Sequence, residues 1–237
     1  MRSNSSVIKF WRDLAGSVLV EYSVVFPTFI LVTLGTVDLA YMLVDLAAAN
    51  KATHLGARYA IVSNPVAKEI TSPRYTVSQQ QQIGQTCFDS ASGVANGNCP
   101  PAGSLSADCT WAANGGRCTN GYTFDDTASD SYPFTSILTR MQAIYCAHLK
   151  PPYTHCPLQR ENLTVSYAAT GAGYVLRPGG LPLTVTVSLN CMTHQFYFIG
   201  ALMRWSFAPK AGCAGAVSGW SMPTFASTLT SEDLSTN

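Results

Sequence analysis

The chain has 237 residues, of which 11% are charged, and a formal net charge of +1. That length holds a membrane segment plus one domain, and the near-neutral balance lacks the basic face of a nucleic-acid binder. Sparse charge among many Thr, Ser, Gly and Tyr residues suits a β-rich exported domain.

Residues 1–16 are polar, carry Arg2, Lys9 and Arg12 against Asp13, and read as a cytoplasmic leader. From Leu14 to Val37 the one charge is Glu21. A helix over this run spans about 36 Å, enough for a hydrocarbon core of about 30 Å. A cleaved signal peptide is the competing reading. It is disfavoured because no A-x-A-like site follows a short apolar run, and because the run passes without a turn signal into an Ala-rich continuation. An uncleaved single-pass anchor is favoured. Basic residues before the run, with Asp38 and Asp45 after it, place the N-terminus in the cytoplasm and everything beyond Val44 outside.

Residues 17–62 read as one transmembrane and projecting helix, about 69 Å long. Its second half, Asp45 to Ala60, is rich in alanine, which favours helix and permits close packing. Lys51, His54 and Arg58 punctuate it, and Asn64-Pro65 ends it.

Residues 63–237 are expected to form an extracytoplasmic α+β domain. Residues 66–133 read as mostly irregular, with a polar tract at Gln79–Gln82 and a stretch from Gly84 to Tyr122 dense in Gly, Ser, Asn, Pro and Cys. A structureless segment that long needs pinning, and four cysteines fall there. Thr135 to Leu149 has helical spacing, with Ile137, Leu138, Met141, Ile144, Tyr145 and Leu149 on one face, and Pro151-Pro152 stops it. Asn162–Ala168 alternates weakly. Leu183–Cys191 alternates strictly and is the clearest strand, and Phe225–Leu229 is a plausible last one. The expected architecture is a helix packed on an antiparallel sheet, with a disulfide-rich irregular insertion. Phe196–Met203 is apolar and too short to span a membrane. A buried hairpin or core segment is the plain reading, and a loop on the membrane or a partner is the alternative.

All eight cysteines, Cys87, Cys99, Cys109, Cys118, Cys146, Cys156, Cys191 and Cys213, lie beyond the apolar run. An even number in an extracytoplasmic domain reads as disulfides. Connectivity stays open among on the order of a hundred pairings, of which neighbour with neighbour is the simplest.

The start of the helix has a specific arrangement. Gly16 precedes Ser17, Glu21 follows five residues after the glycine, Tyr22 comes next, and Pro27 lies further in. A glycine lets the chain leave the helix. A carboxylate in a membrane-length helix is costly unless something needs it, and Pro27 removes a backbone hydrogen bond and loosens the helix. Gly16-Ser-Val-Leu-Val-Glu21-Tyr-Ser-Val-Val-Phe-Pro27 resembles the opening of the TadE family and the processing site of type IV pilin-like proteins. Gly35-Thr-Val-Asp38 and Leu55-Gly56-Ala57-Arg58 resemble that family's later positions, where a Gly-x-x-Glu and an Ala-Ala-Arg are usual. A faint likeness returns at Phe225 to Glu232.

The resemblance implies a minor pilin or pseudopilin of the tight-adherence (Flp, type IVc) pilus, taking part in assembly and supporting adhesion and biofilm formation. It implies cleavage between Gly16 and Ser17 by a prepilin peptidase. It also implies an ion pair between Glu21 and the freed amine of a neighbouring subunit. The implied partners are that peptidase, other pilin-like subunits and the assembly machinery. The implied location is the bacterial inner membrane, with the C-terminal domain periplasmic, in or on the pilus. Against this stands a plain membrane-anchored binding module with an incidental glutamate.

No enzyme, cofactor or metal is expected. Cys146, His148, His155 and Cys156 lack standard zinc spacing, and a disulfide across the Pro151-Pro152 turn is favoured. Gly219-Trp-Ser-Met-Pro223 fails the nucleophile-elbow pattern because Pro223 stands where a glycine is needed. No phosphate-binding loop or dinucleotide fingerprint occurs. His54 and His194 are isolated, and Trp111, Trp205 and Trp220 are more often core than glycan-facing.

Overall fold

A computed structural model of the chain describes residues 14–70, 88–89, 94–95, 105–112, 114–125, 133–153, 155–170, 183–200 and 220–231. Arg2, Lys9, Arg12 and Asp13, the Gln79–Gln82 tract, Cys87, Cys99, Trp205, Cys213 and Glu232 lie outside the described residues. The structure is α+β: a long apolar helix, a second helix, an antiparallel sheet and disulfides.

Helix α1 runs Leu14–Ala60 without a break at Pro27. It starts three residues before the expected Ser17 and ends two before residue 62. Ile61, Val62 and Ser63 continue in turn-type hydrogen bonds to Ala57 and Tyr59. The chain divides into two compact units, one of Met1–Val44 with His194–Trp220, the other of Asp45–Thr193 with Ser221–Asn237. The division falls inside α1, so the Ala-rich half of the helix belongs to the larger unit.

In the larger unit, five strands pair in the order β4-β3-β5-β6-β9, antiparallel throughout. They are β3 (Ser106–Ala112), β4 (Gly115–Cys118), β5 (Leu163–Ala169), β6 (Leu183–Leu189) and β9 (Phe225–Thr230). Short pairs form at β1 (Phe88–Asp89) with β2 (Val94–Ala95), and at β7 (Thr193–His194) with β8 (Trp220–Ser221). Helix α2 covers Pro133–Tyr145. It starts two residues before the expected Thr135 and ends four before Leu149, at the Cys146–Cys156 disulfide.

Strands β5 and β6 bury alternate residues: Leu163, Val165, Tyr167 and Ala169 in one, Leu183, Val185, Val187 and Leu189 in the other. Period-two burial is what a sheet with one covered face requires. Phe134, Ile137, Leu138 and Met141 of α2 are buried, as are Ala49, Ala52, Ala57 and Ala60 of α1. At Gly56, an added Cβ would lie 2.6 Å from Met141 Sδ and 3.3 Å from Val187 Cγ1. A glycine there lets α1 approach both α2 and β6.

The cysteine-rich stretch, expected to be mostly irregular, contains two strands, β3 and β4, and β3 pairs with β5. Its strand character is masked by Gly, Asp and Cys, which are poor strand indicators, while Cys109 is fully buried at a core position. The expected strand to Cys191 ends at Leu189. Cys191 adopts φ +58°, and Asn162 donates from Nδ2 to the carbonyls of Asn190 and Cys191, which turns the chain out of the sheet.

Disulfides join Cys109 to Cys118 across β3 and β4, and Cys146 to Cys156 after α2. Cys191 is also disulfide-bonded. His148 and His155 are exposed while Cys146 and Cys156 are buried in their bridge, and no metal-binding cluster occurs among the described residues. His54 is exposed, with Nδ1 3.0 Å from Ser227 Oγ. His194 is buried with its ring edge-on to Phe196, and Trp111 packs among Phe124, Phe134 and the Arg160 guanidinium.

Candidate functional site: two carboxylates on an apolar helix

Residues Val18–Thr33 of α1 are all exposed, and the helix is long and apolar enough to cross a membrane. Its described serine and threonine hydroxyls are satisfied internally. Ser23, Thr28, Thr33 and Thr36 donate to carbonyls three or four residues earlier, the usual device for carrying hydroxyls in apolar helices. Two carboxylates remain on this part of the helix, and their surroundings differ.

Glu21 is exposed. Beside it Tyr22 stacks on Phe26, with ring centroids 5.3 Å apart. Pro27 follows Phe26 directly within the helix. Gly16 and Ser17 lie in the first turn of α1, where backbone N–H groups have no intrahelical acceptor and fraying is cheap.

Asp38 is fully buried. Its Oδ1 accepts the Tyr197 N–H at 3.1 Å, and its Oδ2 accepts the N–H groups of Phe198 and Ile199 at 2.8 Å each. Charge-assisted bonds to successive backbone amides are strong, and they hold the 197–199 backbone against α1. Gly35 lies one turn before Asp38, and an added Cβ there would meet Ile199 Cγ2 at 3.6 Å. The small residue and the carboxylate thus form one seat for the same segment. Tyr41, one turn beyond, meets Tyr197 edge-on at 6.1 Å.

This arrangement corrects the plain reading of Phe196–Met203 as a buried core segment. Tyr197 is 76% and Phe198 52% exposed, and residues 201–203 lie outside the described set. The backbone is seated while the aromatic side chains face outward. Sequence reasoning noted Asp38 as a motif position but missed its partners, because backbone N–H groups carry no side-chain signature. The available signal was a carboxylate at the end of an apolar run, in a chain with a distant apolar segment too short to span.

Arg58 is exposed in the last turn of α1, where a cation complements the helix dipole. It lies in the other compact unit from Gly35 and Asp38.

The TadE-like protein family matches residues 16–58. The chain carries a TadE-like N-terminal segment. That segment lies wholly within α1 and contains Gly16, Ser17, Glu21, Tyr22, Pro27, Gly35, Asp38 and Arg58. Neither the curated proteins nor the solved structures contain a match to the chain. The TadE-like segment therefore ends within two residues of the end of α1, and the sheet lies outside it.

Proposed function

We propose that the chain is a TadE-like minor pilin or pseudopilin that takes part in assembling the tight-adherence (Flp) pilus, and so supports adhesion and biofilm formation. A prepilin peptidase cuts between Gly16 and Ser17. The C-terminal domain stands on the periplasmic side of the inner membrane, and no catalytic group is involved.

The observation that carries this reading is the contrast between the two carboxylates. Asp38 is satisfied within its own chain, while Glu21 is presented outward on an apolar helix. Cleavage places a new ammonium on Ser17, four residues from Glu21. Pairing that ammonium with Glu21 of a neighbouring subunit offsets desolvation when the geometry is good, so the incoming subunit is selected by register. Pro27 leaves one carbonyl of the helix without its N–H partner, which eases bending as subunits pack.

The test is the N-terminus of the membrane-extracted protein, by intact mass and N-terminal sequencing. A chain that starts at Ser17 only when the peptidase is present is the expected result. A chain that keeps Met1 while the peptidase processes another pilin in the same cells leaves an anchored binding module and defeats the proposal. With Glu21→Ala as the sole copy, pili are expected to be lost while the outer domain keeps its disulfides. Normal piliation would refute the pairing role.

A further inference from the structure

The segment seated on Asp38 has a use that pilus assembly does not explain. We propose that Tyr197 and Phe198, latched to Asp38 through the backbone, form a second membrane contact that seats in the headgroup–acyl boundary of the outer leaflet of a phospholipid bilayer. This rests on the reading of α1 as a membrane anchor, and not on the pilus reading.

Depth is the first argument. Asp38 lies seventeen residues beyond Glu21 on one continuous helix, a rise of about 26 Å. With Glu21 at one boundary of a hydrocarbon core of about 30 Å, Asp38 and its seated segment stand at the opposite boundary. Surface chemistry is the second. Leu39, Tyr41, Leu43 and Val44 are exposed on the helix at that level, as are Tyr197 and Phe198 in the segment. Together they extend the apolar surface of α1 sideways. Tyrosine is enriched at membrane boundaries because its ring is apolar and its hydroxyl reaches water, and Tyr41 and Tyr197 are in ring contact.

The backbone supplies the third argument. Non-helical backbone is tolerated at the edge of hydrocarbon only where its polar groups are paired. Residues 197–199 are not hydrogen-bonded as a regular helix or strand, yet their three N–H groups end on one buried carboxylate. An aqueous loop needs no such device, because water satisfies its amides. A carboxylate that removes three amides from solvent while leaving two aromatic side chains outward suits a segment that enters a lipid boundary.

The experiment places p-benzoylphenylalanine at Tyr197 in the full chain in membranes, and at Leu31 in a second sample. Leu31 is half exposed on α1 and reports on the anchor alone. After irradiation, adducts are sorted by mass into phospholipid and protein. Phospholipid adducts at both positions are expected. In an Asp38→Ala background, the Tyr197 adduct should fall to background while the Leu31 adduct persists. Lipid adducts at Leu31 with none at Tyr197, or with a second copy of the chain captured at Tyr197, overturn the proposal and leave the anchor standing. Failure at Leu31 as well overturns both. Persistence of the Tyr197 lipid adduct in Asp38→Ala removes the latch from the explanation.

Discussion

Tyr167 is one residue on which two distant parts of the larger unit depend. It sits fully buried in β5, and its hydroxyl accepts the N–H of Val66, just past the end of α1, at 3.0 Å. Val66 is itself fully buried, so no water replaces that acceptor. Tyr167→Phe should therefore destabilise the protein by about 1–3 kcal/mol, the cost of a stranded buried donor. Thermal melting of the detergent-solubilised chain checks this, and an unchanged midpoint would show that Val66 finds another acceptor. The aromatic position of Tyr167 was legible from alternation, since it falls on the inward register of β5. Its hydroxyl partner was not, because that partner is a backbone amide 101 residues away.

At the scale of elements, packing between α1, α2 and β6 turns on the absence of a side chain. At Gly56 even a Cβ would lie 2.6 Å from Met141 Sδ, so the position holds no larger residue unless Met141 shifts. Gly56→Leu should cost about 1–3 kcal/mol through overpacking, which outweighs the roughly 1 kcal/mol gained in helix propensity. A lowered denaturation midpoint with unchanged helix content is the expected result, and a raised midpoint would show that Met141 moves aside freely. The same elements show what the sequence makes readable. β6 was legible because Leu183, Val185, Val187 and Leu189 alternate with hydroxyl residues, and α2 because its apolar residues recur at helical spacing. β3 and β4 were not, because Ser106–Cys118 draws its place in the sheet from pairing with β5 and from a disulfide, and neither leaves a hydrophobic period.

Across the whole molecule, two phenols, Tyr167 buried and Tyr145 half-buried, make stability sensitive to alkali. Burial, then the nearby charge of Asp45, pushes Tyr145 up from 10.0 to about 12. Burial pushes Tyr167 up as well. In the unfolded chain both phenols ionise near pH 10. The unfolded state therefore releases protons first, and stability is whole below about pH 10 and declines as pH rises through the window to about 12. Denaturant melts at rising pH should show that decline, with part of the phenolate absorbance appearing only on unfolding. A midpoint independent of pH across that window would mean that these phenols titrate freely. The functional site was legible only at its motif end. Gly16, Glu21 and Pro27 stand close together in the chain and are recognisable as a pattern. The seat at Asp38 depends on residues that folding alone brings to it.

That seat spans 159 to 161 residues of sequence, and this has a consequence for how the protein is made. Chains emerge from the ribosome at about 5–20 residues per second, so α1 is finished well before the amide donors to Asp38 exist. For about 8–30 seconds at that rate, Asp38 has no latch, and it can close one only after β5 and β6 have been synthesised. Closure is therefore a late event that reports passage of the ribosome beyond Ile199, and a chain truncated before that point keeps α1 with a carboxylate left bare.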